Sequence, residues 1–117
     1  MSPNRKQRQV LILHEVRRWF LEAAKHLLKK DEVEAEGCLA HAREHLGLLD
    51  NKIKDRFISR LQELPAYGKK EYGGEKSAPR VSSLLEHSPW SEWQELSKKQ
   101  LRFLIESLSP KKRKRRQ

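Results

Sequence analysis

The sequence has little of what secreted, membrane-spanning or cavity-bearing proteins use. Cys38 is the only cysteine, so no internal disulfide is possible. A reducing compartment, cytosol or nucleus, is the expected setting. The longest unbroken apolar run, Val10–Leu13, is four residues, far short of a signal-peptide core or a spanning helix. No membrane partner is expected. Ser2 follows Met1 and Gln117 ends the sequence without a prenylation box, so no lipid anchor is expected. No Gly-rich phosphate loop, nucleophile elbow or paired-acid arrangement occurs, and Gly73-Gly74 is not followed by a lysine-serine pair. No catalytic site and no cofactor are expected. With 117 residues, 36% hydrophobic residues and a mean hydropathy of -0.92, the chain is one small domain with a thin core.

What is present is charge. The formal net charge is +10 and the isoelectric point near 10.0, a balance that favours polyanionic partners. Most of the excess sits at the two ends. Residues 1–9 carry Arg5, Lys6 and Arg8 with no acid. Residues 109–117 carry Lys111, Lys112, Arg113, Lys114, Arg115 and Arg116, again with no acid. The body between them is nearly neutral. Residues 1–9 and 109–117 are therefore read as basic, disordered tails.

Helical periodicity dominates the body. Leu13, Val16, Phe20, Ala23 and Leu27 recur at steps of three and four, which predicts a helix from about Gln9 to Lys30. Asp31 reads as the N-cap of a second helix with Glu32 and Glu34 in its first turn. Its stripe is Ala35, Leu39, Ala42, Leu46, Leu49, Ile53, Phe57, Leu61 and Leu64. The steps never leave three or four, so one long helix to Leu64, kinked near Gly47, is favoured over two. Pro65 ends it. These elements make residues 10–64 a helical hairpin.

Residues 65–80, with Pro65, Gly68, Gly73, Gly74 and Pro79, read as a linker. A C-terminal helical segment, 81–108, follows and should pack on the hairpin. Val81, Leu84 and Leu85 offer a short helical turn. Ser88-Pro89 reads as the N-cap and first position of a short helix through Trp90, Trp93 and Leu96. Ser97 with Gln100 is a capping box that opens a last helix through Leu101, Leu104, Ile105 and Leu108, which Pro110 stops. No β-alternation appears. The expected fold class is all-α: a small bundle or hairpin with a C-terminal short-helix pair.

Three local patterns resemble known families. Trp19, Ala23, Ala35, Leu39 and Ala42 fall at the spacings of a tetratricopeptide helix pair, and the likeness covers about 35 residues. It implies close packing of large against small side chains; no second repeat follows. His41-Ala42-Arg43-Glu44-His45 resembles the H-x-x-E-H zinc motif of inverted zincin peptidases. A tetrahedral zinc needs further ligands from another element, and two histidines of one helix do not close it, so no metal is expected. The spacing of Arg80 and His87 resembles the ribonuclease motif of helical HEPN domains. Here Val81 follows the arginine, and Ser88-Pro89 interrupts the helix that the family continues.

The candidate binding residues lie outside those patterns. Lys69, Lys70 and Tyr72, with Tyr67 and Lys76, interleave aromatics with cations, as segments that stack on unpaired bases do; an ordinary loop fits them as well. Trp90 and Trp93 share a face, which suits either core or an exposed partner anchor. The run Lys111–Arg116 resembles a monopartite nuclear-import signal and the arginine-rich tails of RNA-binding proteins. With Ser109-Pro110 it is similar to the S-P-K-K units of linker-histone tails. The function these features suggest is a small nucleic-acid-binding accessory protein, for DNA or RNA, that holds phosphates largely through its tails. The alternative is a helical adaptor, the small subunit of a larger nucleoprotein complex, with the basic run as import or docking signal. The expected location is nuclear in a eukaryotic cell and cytoplasmic otherwise.

Overall fold

The computed structural model describes residues 4–61 and 80–109. Among these residues there are six α-helices and no strand. The helices are α1 (Arg5–Leu28), α2 (Glu32–Leu46), α3 (Asn51–Ser59), α4 (Val81–Glu86), α5 (Trp90–Gln94) and α6 (Lys98–Leu108). The expected all-α class is found.

Helix α1 packs along both α2 and α6. It starts four residues earlier than its apolar stripe predicts. Asn4 accepts a hydrogen bond from the Gln7 amide at 2.8 Å, and the Gln7 side chain accepts one from the Asn4 amide at 3.1 Å. This capping box satisfies two orphan donors and fixes the helix start. Arg5, Lys6 and Arg8, expected in a tail, are thus the first turns of the central helix. At the other end Lys30 takes a left-handed φ of 66°. Its amide donates to Leu27 O and that of Asp31 to His26 O, a Schellman closure in which lysine holds the position glycine favours. Asp31 does precede α2, but its side chain makes no capping bond and lies 3.5 Å from His26 instead.

The single long helix expected over residues 31–64 is not formed. The chain leaves α2 at Gly47, and the Leu48 and Leu49 amides donate to His45 O and Leu46 O in tight turns. It enters α3 after Asp50. The physical reason lies in α1. The Gln9 carboxamide donates to Leu48 O at 3.3 Å and accepts from the Asp50 amide at 2.7 Å, so backbone groups freed by the break are satisfied. Leu49 turns into the core and Phe57 follows it from α3. A break that keeps the apolar phase is invisible to a three-four count.

One core joins all six helices. Val16, Phe20, Ala23 and Ala24 of α1 meet Ala35, Leu39 and Ala42 of α2. Leu101, Leu104 and Leu108 close it from α6, and Val81, Leu84, Leu85 and Trp93 from α4 and α5. The tetratricopeptide-like spacing thus corresponds to close packing of α1 on α2, with Ala23, Ala35 and Ala42 fully buried. The Ser97–Gln100 capping box forms as expected. Helix α5 starts at Trp90, one residue later than Ser88-Pro89 suggested, with Pro89 as its N-cap.

Candidate functional site

Trp93 is fully buried, so it is no exposed partner anchor. Its indole donates to Leu84 O at 3.1 Å, and its ring stacks on Phe20 at 6.3 Å between centroids, 9° from parallel. Its apolar area and its one donor are both satisfied inside. Trp90, three residues earlier, is half-buried against the rim of the core.

The residues of the two family-like motifs are engaged otherwise. His41 lies 5.0 Å from the Trp19 ring and 3.7 Å from Glu44, and His45 Nδ1 sits 2.8 Å from His41 O. Among the described residues no group of three or more His, Cys, Asp or Glu side chains gathers where it could hold a metal. Arg80 and His87 flank opposite ends of α4, about 10 Å apart along its axis by helix rise. Cys38 is buried in α2. Burial pushes its thiol pKa up, and Glu22, Glu34 and Asp31 push it further.

Arg43, inside the H-x-x-E-H pattern, has a structural task that the pattern does not announce. Its Nε donates to Leu85 O at 2.8 Å, and its Nη2 to Leu84 O at 3.0 Å and Ser88 O at 2.6 Å. Leu84 and Leu85 end α4, where carbonyls have no partner within the helix, and Ser88 lies in the junction to α5. One guanidinium therefore fastens the α4–α5 junction to α2. Burial lowers the Arg43 pKa from its ordinary value.

The surface feature with the most chemical character lies between α1 and α3. A groove of about 290 Å³ is lined by Lys6, Gln9, Val10, Leu13 and Arg17 of α1, with Ile53, Arg56, Phe57 and Arg60 of α3 and its C-cap. Four of the nine lining residues are cationic and none is acidic. The Arg17 guanidinium lies over the Phe57 ring at 5.6 Å. Beside the groove Arg5 donates to Asp50 at 2.9 Å; that hydrogen bond, then the charge of the carboxylate, pushes the Arg5 pKa up. Helix α1 has no acid in its first turn, so its N-terminal cations add to the positive end of its dipole.

Of the residues singled out from sequence, the structure brings Lys6 into this groove and places Arg5 and Arg8 on the same helical turns. Arg17, Arg56 and Arg60 were missed. Their signal, cations recurring at helical spacing beside apolar residues, was diluted by acids spread through the body in a sum of nearly zero. Lys69, Lys70, Tyr72 and the run Lys111–Arg116 lie outside the described residues. No described helix is long and apolar enough to cross a membrane. No protein-family model, no curated protein and no solved structure matches the chain.

Proposed function

We propose that this is a small helical nucleic-acid-binding accessory protein that grips the phosphate backbone. The observation that carries the reading is the groove between α1 and α3, where Lys6, Arg17, Arg56 and Arg60 converge with no acid among the described lining residues, next to the basic start of α1. Positive charge collected on one face steers a polyanion to it. The run Lys111–Arg116 supplies the remaining cations, in the sequence pattern of phosphate-binding and nuclear-import segments. Groove and run together support backbone binding with little base-edge readout.

Deleting residues 110–117 tests the division of labour. A segment making several phosphate contacts on duplex DNA should lower the slope of log affinity against log salt by about 4 to 5 when removed. Helicity should stay intact, because the segment holds no apolar side chain for the core. Binding of a generic duplex and a generic single strand across a salt series reads this out. An unchanged slope for both ligands leaves the folded body as the binding surface and the run as an address.

A second reading, a helical adaptor in a nucleoprotein complex, is favoured by the outward side of α2. There Val33 is 81% exposed among Glu32, Glu34 and Glu36. An apolar side chain ringed by carboxylates suits a basic protein partner. Co-purification of a protein partner that survives deletion of residues 110–117 and nuclease treatment supports this reading over the first.

A further inference from the structure

The groove also bears on which nucleic acid is bound, an inference that rests on the nucleic-acid reading above. The geometry points to a single-strand site, in which an unpaired base stacks on the Arg17 guanidinium while neighbouring phosphates meet Arg56 and Arg60.

The rim and the floor of the groove ask for different things. The rim is cationic, with no carboxylate among the described lining residues, which selects an anion. The floor is apolar: Val10, 51% exposed, Leu13 and Ile53. An occupant gains from the floor only if it brings apolar surface of its own. A duplex keeps its bases stacked inside and presents phosphates and sugars, so it meets the rim and leaves the floor wet. An unpaired base presents a flat face along with its phosphate, and satisfies both.

Size separates the base from the other occupant of matching charge, an acidic amphipathic helix. Such a helix inserts anchors over two turns or more. Val10 and Leu13 span about 5 Å of α1 by helix rise. The volume, about 290 Å³, is at the small end for ligand pockets. It suits a single ring system.

The stacking platform is Arg17. Phe57 is only 4% exposed, so its ring is covered, and Arg17 covers part of it from 5.6 Å away. Arg17 itself lines the groove, and guanidinium planes accept nucleobases. Arg56 and Arg60 are one helical turn apart on the opposite wall, about 6 Å in rise, spaced to serve successive phosphates of an extended strand.

The test uses the full chain. Anisotropy of an unstructured oligonucleotide and of a blunt duplex is measured for wild type, Arg17→Lys, the pair Arg56→Gln/Arg60→Gln, and Lys25→Gln/Lys29→Gln. The last removes equal charge from the far end of α1. Thermal melts confirm folding, and polyglutamate serves as the competing acidic peptide. Arg17→Lys keeps the charge and loses the plane; it should weaken single-strand binding at least about fivefold and duplex binding less than about twofold. The Arg56/Arg60 pair, both exposed, should lower the single-strand salt slope by about 1.4, and the Lys25/Lys29 pair should leave it unchanged. Equal loss for strand and duplex overturns the single-strand site while nucleic-acid binding stands. So does unchanged binding in both groove variants, or displacement of the oligonucleotide by polyglutamate. Failure of the intact chain to bind any nucleic acid overturns the proposed function itself.

Discussion

The two outer surfaces of the α1–α2–α3 region have opposite charge. Across α1 and α3, Lys6, Arg17, Arg56 and Arg60 line a partly apolar groove with no acid among its described lining residues. Along α2, Glu32, Glu34, Glu36 and Glu44 are exposed, and Arg43, the one cation of residues 31–50, is drawn inward to the α4 carbonyls. A charge sum over the body does not show this separation of signs between the groove and the outer side of α2. Folding separates the signs because the α1–α2 interface is sealed by small apolar residues, which leaves each helix's charges on its outer side.

The largest effect should come from breaking the arrangement at its inward-turned cation. Arg43→Met removes three hydrogen bonds and leaves the carbonyls of Leu84, Leu85 and Ser88 without that donor, though Trp93 still serves Leu84. Chemical denaturation should report a loss of about 3 kcal/mol. Arg43→Lys should recover only part of it, since an ammonium cannot fork to three carbonyls on two sides. Nucleic-acid affinity per folded molecule should stay as in wild type. A drop there would place Arg43 in the binding surface and blur the contrast between the faces.

The groove wall depends on the α2–α3 break, and Gln9→Ala attacks that. Two hydrogen bonds to buried-side backbone are lost, which should cost about 1–2 kcal/mol. Hydrogen exchange at the Leu49–Asp50 amides should speed up relative to the core of α1. If exchange is unchanged, the break is held by Leu49 burial alone.

Changing the acidic face should move binding the other way. Glu36→Gln/Glu44→Gln removes like-sign repulsion against a polyanion without touching the groove, and should tighten single-strand binding about twofold at low salt, less at high salt. Equal responses to groove and α2 substitutions would mean that net charge, not its placement, governs binding.

The smallest effect is a pH dependence beneath the acidic face. The Cys38 thiol pKa is raised by burial first and by Glu22, Glu34 and Asp31 after it. The folded state therefore holds its proton to a higher pH than the unfolded chain. The stability from the neutral buried thiol is fully present below the ordinary thiol range and is lost as pH rises through the folded value. The stability difference between wild type and Cys38→Ala should shrink from about pH 7 to about pH 10. Thiol alkylation should be slow in the native state and fast in denaturant.

By itself the sequence determined the helical class, most of the core and the Ser97 cap, because those follow from spacings of three and four residues and from local capping chemistry. Ala35, Leu39, Ala42, Leu46, Leu49 and Phe57 are buried as their stripe requires. The earlier start of α1 was also written locally, in Asn4 and Gln7, but a cluster of cations without acids masked it. Only the tertiary structure decided the rest. The α2–α3 break preserves the apolar phase, and its support comes from Gln9, some forty residues away in the chain. Arg43 reaches its carbonyls across 41 to 45 residues. The groove joins cations of α1 to cations of α3, and Trp93 became core while Trp90 stayed at the rim. Such pairings depend on where elements dock, and periodicity along one helix carries no information about its neighbour's position.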